Sequence, residues 1–191
     1  MKVLVVFGHP NPKSFNNAVL ESFTKGLKDG GHSFEVSNLY AQNFNPSFQS
    51  ADFLQFQGKS MPTDVQAEQE KLANADALVL IGPVLGWFIP AIMEGWLQRI
   101  MSWGFAWTAD KDGMYGHLKH KKGLYIFTTG NPKEFYETTG LGAAMNKILH
   151  STLTETGIKS AETVLLYQVS SVDDATRKQY LERVYQLGRE F

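Results

Sequence analysis

Apolar residues fall in two alternating patterns along the chain: short continuous runs, and longer stretches with an apolar residue every three or four positions. Lys2–Phe7 is the first run, β-branched and unbroken, the mark of a strand buried on both faces. Ser14 then stands where it can cap a helix in which Phe15, Val19, Phe23 and Leu27 fall four apart, and Gly30-Gly31 ends that helix. Ser33–Leu39 alternates as a second strand. Ala41–Met61, rich in Asn, Gln and Phe, has no period and reads as an excursion over the surface. Thr63–Asn74 is a polar helix, and Ala-Leu-Val-Leu-Ile at Ala77–Ile81 is another buried strand. Pro90 suits the first turn of a helix Pro90–Met101, because the amide it lacks would be unpaired there. Leu124–Thr128 is a fourth strand, Gly142–Thr156 a helix closed by Gly157, and Thr163–Val169 a fifth strand. Ser171-x-x-Asp174 has the form of a capping box opening the last helix.

Strands alternating with helices predict an α/β fold, with a doubly wound parallel sheet covered on both faces. Five strands favour the flavodoxin-like order 2-1-3-4-5 over the six-stranded dinucleotide fold. In that order strands one, three and four are neighbours, and ligands bind beyond their carboxyl ends. No repeat, low-complexity stretch or linker interrupts the pattern, so residues 1–191 read as one domain. Three loops therefore carry the candidate chemistry.

The first is Gly8-His9-Pro10-Asn11-Pro12-Lys13-Ser14-Phe15-Asn16. It joins a buried strand to a capped helix, which offers free amides and a positive helix end to a phosphate, with His9, Ser14 and Asn16 as side-chain donors. A plain cap with the histidine turned to solvent fits the same residues. The familiar glycine-rich nucleotide motifs are absent. The second loop, Gly82-Pro83-Val84-Leu85-Gly86-Trp87-Phe88-Ile89-Pro90, sets large apolar residues between two prolines. Such residues need cover, either from a flat heteroaromatic ring or from another loop or subunit. The third, Thr128-Thr129-Gly130-Asn131-Pro132 with Tyr136 beyond it, offers two hydroxyls and a close backbone approach. Trp103-Gly104-Phe105-Ala106-Trp107 adds aromatics at alternate positions, a stripe that more often serves packing than a pocket, although its place beside the Trp87 loop narrows that margin.

Composition removes several classes of function. The net charge of −1 argues against a nucleic-acid partner. The densest basic spot, His120-Lys121-Lys122, reads as a solvated turn. Cysteine is absent, so neither disulfides nor thiolate chemistry is available. The N-terminal apolar run is too short for a signal peptide, and no run approaches a membrane span. A soluble cytoplasmic protein, not a membrane protein, is expected. No metal enters this reading.

With these residues in view, the chain resembles the NAD(P)H:quinone oxidoreductase family of flavoproteins over nearly its whole length. The matching stretches are Gly8-His9-Pro10, Ser14-Phe15-Asn16, Asn38-Leu39-Tyr40-Ala41 and Phe44-Asn45-Pro46. They continue through Asp64-Val65-Gln66, Ala75–Val79, Pro90–Trp96, Gly104-Phe105-Ala106 and Thr128-Thr129-Gly130. The resemblance implies a flavin, FAD or alternatively FMN, with phosphates on His9 and Ser14–Asn16. Its ring would rest on the backbone of Pro83, Val84, Leu85, Gly86 and Trp87 and on Thr128, Thr129, Gly130 and Asn131. It also implies NADPH or NADH as co-substrate and a small quinone as acceptor, with Trp87, Trp107 and Gly130 around the shared pocket. Tyr136 matches the family's catalytic tyrosine. A homodimer with the site at the subunit boundary is implied as well. The chain departs from the family pattern at Leu85-Gly86, where two adjacent aromatics or a glutamine–aromatic pair are usual. It departs again at Gly142, where a histidine accompanies the tyrosine, and at Gln98, usually acidic. Two rival roles share these features. One is a flavodoxin-type electron carrier, which the near-neutral charge and the Gly-His-Pro loop disfavour. The other is an ancillary regulatory subunit of a potassium-efflux transporter.

Overall fold

In the computed structural model, which spans Met1–Phe191, the predicted runs pair into one sheet. Chain order is β1 (Lys2–Phe7), α1 (Phe15–Asp29), β2 (Ser33–Asn38), a 3₁₀ helix (Ser50–Gln57), α2 (Thr63–Ala73) and β3 (Ala77–Pro83). Then come α3 (Ala91–Ile100), a hairpin of β4 (Trp107–Asp110) and β5 (Gly113–Gly116), and β6 (Lys122–Thr128). The chain closes with α4 (Lys133–Thr138), α5 (Leu141–Thr154), β7 (Ala161–Leu166) and α6 (Asp174–Arg189). The sheet runs β2-β1-β3-β6-β7, all parallel, which is the order 2-1-3-4-5 of its five long strands.

Alternation along β1 and β3 divides the core in two. Val3, Val5, Phe7, Val79 and Ile81 pack with Val19, Phe23 and Leu27 of α1 and Val184 of α6. Leu4, Val6, Leu78 and Leu80 pack on the other face with α2, α3 and α5. Each central strand is thus apolar on both sides, as its unbroken sequence requires. No helix is long and apolar enough to cross a membrane.

Several local expectations are corrected. The last helix is capped by Asp173, whose side chain accepts from the Thr176 amide at 2.8 Å, and not by Ser171. The fifth strand begins at Ala161 and stops at Leu166, because Tyr167–Ser171 turn away toward that cap. Pro90 is the residue before the first turn of α3, one position earlier than its missing amide suggested. The basic spot is no solvated turn: His120 is buried with Nε2 at 2.9 Å from the Leu72 carbonyl, and Lys122 opens β6 with its ammonium over the Phe191 ring.

The excursion at Ala41–Met61 is anchored rather than draped over the surface. Asp52 on its 3₁₀ helix is wholly buried and grips Arg99 of α3, itself 1% exposed, through Nε at 2.9 Å and Nη2 at 3.2 Å. The same guanidinium donates to Asp64 at 2.6 Å and to the Asn45 carbonyl at 2.8 Å. One planar fork therefore joins the excursion, α2 and α3. Sequence periodicity misses such an anchor because its partners lie 35 and 47 residues away. Replacing one member of a buried pair strands the other charge, at a cost of about 3–5 kcal/mol. Arg99→Met should lower stability to urea by that amount, and an unchanged unfolding midpoint would refute the anchor.

Candidate functional site

At the carboxyl edge of β1, β3 and β6, three loops meet on one residue. Thr128, 3% exposed, ends β6. Its Oγ1 accepts from Asn16 Nδ2 at 2.9 Å, which ties in the first turn of α1. Its carbonyl accepts the Val84 amide at 2.8 Å, which ties in the loop after β3. Gly8 donates to the Ile81 carbonyl at 3.0 Å, so the start of the loop after β1 is tied to β3. The two glycines at this junction have a packing reason. A Cβ at Gly8 would overlap the Met93 side chain of α3, and one at Gly82 would come 2.8 Å from the Met93 sulfur.

In the first loop Ser14 caps α1, its Oγ accepting from the Asn17 amide at 3.3 Å. The amides of Phe15 and Asn16 make no hydrogen bond within the chain. They are the open donors of a helix N-terminus, where the macrodipole also favours negative charge. The Asn11 amide donates to His9 Nδ1 at 3.0 Å, which engages that nitrogen within the loop and leaves Nε2 without a partner in the chain. Asn16 differs from its expected role: its side chain is buried and spent on Thr128, so only its backbone is free for a ligand.

The loop after β3 is stiff for a reason that the prolines alone do not supply. Leu85 and Phe88 exchange backbone hydrogen bonds at 2.8 and 3.2 Å across a two-residue turn. Gly86 and Trp87 both have positive φ, +55° and +76°, as a type I′ turn demands. For glycine this costs little, but a non-glycine residue there stores about 1–2 kcal/mol. Trp87 nonetheless holds that conformation, 57% exposed, with its indole stacked on Phe135 at 5.4 Å and 24°. Leu85 is 54% exposed beside it.

In the third loop the Thr129 hydroxyl donates to the Asn131 carbonyl at 2.8 Å, and the Thr129 amide donates to Leu166 of β7. Nothing lies within 4 Å of the Cβ position at Gly130, so the backbone there is open to a flat partner. Tyr136 is nearly buried, edge-on to Phe135 at 5.5 Å and near Tyr167. Burial pushes its phenol pKa up, and the Thr129 hydroxyl beside it offsets part of that. Gly142 packs against Tyr136, where a Cβ would sit 3.3 Å from the tyrosine backbone and Cβ. A cavity of about 660 Å³ opens alongside them, lined also by Lys133, Asn146 and Arg183.

Trp107 belongs to a different cluster. It meets Trp103 edge-on at 5.3 Å and donates its indole N–H to the Met101 carbonyl at 2.8 Å. Its ring borders an apolar groove of about 540 Å³ with Met101, Met114 and Ile148. The structure thus gathers His9, Ser14–Asn16, Pro83–Trp87 and Thr128–Asn131 on the joined loops, with Tyr136 packed behind Phe135, and leaves Trp107 apart. Phe135 was missed in the sequence. Its signal was an aromatic beside Tyr136, in a short helix that no period announces.

Comparison with known proteins agrees with this fold. A family model described as flavodoxin-like fold matches residues 1–187. The ribosyldihydronicotinamide dehydrogenase [quinone] of Rattus norvegicus is 32% identical, with 88% of this chain and 80% of that protein covered. This chain belongs to the NAD(P)H:quinone oxidoreductase family. An NAD(P)H oxidoreductase of Haemophilus influenzae is 28% identical over 95% of the chain and 91% of its own length. Among solved structures, an NAD(P)H:quinone oxidoreductase from Methanothermobacter marburgensis superposes with a TM-score of 0.92. It is 32% identical, with 99% of this chain and 98% of that one covered.

The joint at Thr128 makes a specific demand. Asn16→Leu removes the only side chain bonded to the buried Thr128 hydroxyl, and a stranded buried polar group costs about 1–3 kcal/mol. Chemical denaturation should register that loss. Wild-type stability in the variant would mean that the loops are held by other contacts.

Proposed function

We propose that this chain is a flavin-dependent oxidoreductase that takes hydride from NAD(P)H and passes the electrons to a quinone-type acceptor. The observation that carries the reading is the junction of three loops at Thr128, which aligns a phosphate site and an open flat shelf at one sheet edge. The residues present fit a flavin. His9 Nε2, the Ser14 hydroxyl and the amides of Phe15 and Asn16 would hold its phosphates. The amides of Gly86, Trp87, Gly130 and Asn131, none bonded within the chain, would meet the polar edge of its ring. FAD is favoured by the likeness at Ser14-Phe15-Asn16, and FMN is the alternative. A bound flavin supplies the hydride chemistry, and the protein orients the rings and steadies developing charge.

Trp87 and Gly130 would receive the nicotinamide and then the acceptor in turn. The quinone-named relatives support that acceptor class. In the homodimer that this reading includes, the groove beside Trp107 would be covered by the partner subunit. Trp107 of the partner subunit would then close the acceptor pocket. That assembly explains how a residue outside the loop cluster serves the same site.

Two measurements bear on this reading. The purified chain should take up FAD or FMN and show a band near about 450 nm that NADH or NADPH bleaches. A protein that stays colourless after incubation with both flavins refutes the reading. In this reading Tyr136 is a hydrogen-bond donor to the charge that builds on the reduced flavin, with no histidine at position 142 to assist it. Removing one such donor costs about 10²–10³ in rate, and backbone amides share the work here. Tyr136→Phe should therefore slow flavin reduction by roughly 10–100-fold in stopped-flow with the fold intact. Because burial raises its pKa above the ordinary 10.0, the phenol stays protonated and its contribution should be flat from about pH 6 to 9. A wild-type rate in the variant would leave Tyr136 a packing residue.

A further inference from the structure

Phe135 has no part in the chemistry above, yet it is the one ring stacked on Trp87. The two come from different loops: Trp87 from the turn after β3, Phe135 from α4 beyond β6. Trp87 needs such support. Its backbone is held at φ +76°, and its side chain projects from a two-residue turn with 57% of its surface exposed. An unsupported indole there would sample several rotamers. Phe135 is only partly exposed and is fixed from behind by the buried Tyr136 at 5.5 Å and 86°. A rigid column thus runs from the buried Tyr136 through Phe135 to the indole. With Phe135 against one indole face, the other is left for a ligand ring.

We propose that Phe135 is the positioning residue of the acceptor site, holding the Trp87 indole ready so that a planar quinone stacks on an already ordered surface. The proposal deepens the flavin reading and rests on it. Its energetic basis is preorganisation. An indole that must be immobilised at the moment of binding weakens binding, whereas one already stacked does not. The cost of ordering one such side chain corresponds to about two- to tenfold in affinity. Selectivity follows from the same geometry. A planar fused-ring acceptor gains from the held indole, while an acceptor without a ring gains nothing.

The test is a double-mutant cycle on the flavin-loaded protein with Phe135→Ala, Trp87→Gly and the pair together. Glycine is chosen at position 87 because it adopts the positive φ without strain. Reduced enzyme is mixed in stopped-flow with increasing 2-methyl-1,4-naphthoquinone, and separately with ferricyanide, which has no ring to stack. Phe135→Ala should raise the apparent Kd for the naphthoquinone about three- to tenfold, leaving the saturating rate and the ferricyanide rate unchanged. Phe135→Tyr should restore the wild-type value. If Phe135 acts through the indole, the double variant should bind the quinone no worse than Trp87→Gly alone. Additive losses would overturn the proposal by making Phe135 an independent contact. Equal losses with both acceptors would overturn it as general damage. No change in Phe135→Ala would overturn it outright. A chain that takes up no flavin fails at the loading step, which identifies failure of the underlying flavin reading instead.

Discussion

Everything at the carboxyl edge of the sheet depends on what Thr128 does with two of its atoms. Its hydroxyl takes Asn16 and its carbonyl takes Val84, so the start of α1 and the turn carrying Trp87 are both referred to the end of one central strand. The residue is buried, and buried polar groups are costly unless paired. Loss of either partner would therefore be felt as an unsatisfied group, and the loops are held in mutual register by that penalty. Loops that carry chemistry are commonly the mobile parts of a fold. Here they share a rigid reference, and the open amides of Phe15 and Asn16 and the open backbone at Gly130 can keep a fixed separation.

The turn at Gly86-Trp87 shows the complementary device. A tryptophan in the left-handed region is strained, and such strain persists only where surrounding contacts over-determine it. The reciprocal bonds of Leu85 and Phe88 and the stack on Phe135 supply that determination. Behind the turn, α3 is itself moored by the Arg99 fork to Asp52 and Asp64. A buried ion pair is weak evidence for stability, because desolvation offsets much of its attraction. It is good evidence for geometry, since a bidentate fork tolerates little displacement. The excursion, α2, α3 and the turn are thus aligned by directional contacts, while the two apolar cores supply most of the driving force.

The sequence by itself determined the layered fold and which loops meet at the carboxyl edge of the sheet. Unbroken β-branched runs can be buried only in a two-faced parallel sheet, and the order of runs and helices leaves few topologies. The strand order puts the loops that carry His9, Ser14, Trp87 and Thr128 at the carboxyl edge, where ligands of such folds bind. Those features are local or periodic, so neighbouring residues announce them. What only the tertiary structure decided is who bonds with whom across long separations. The Asn16 side chain meets Thr128 across 112 residues and is spent there, leaving only its backbone amide open, and Arg99 reaches Asp52 across 47. Phe135 stacks on Trp87 from a helix too short to show a period, and Asp173 displaces Ser171 as a cap because the chain turns back early. Such pairings depend on where the backbone returns in space, and a side chain's neighbours in the fold leave no mark on its neighbours in the chain.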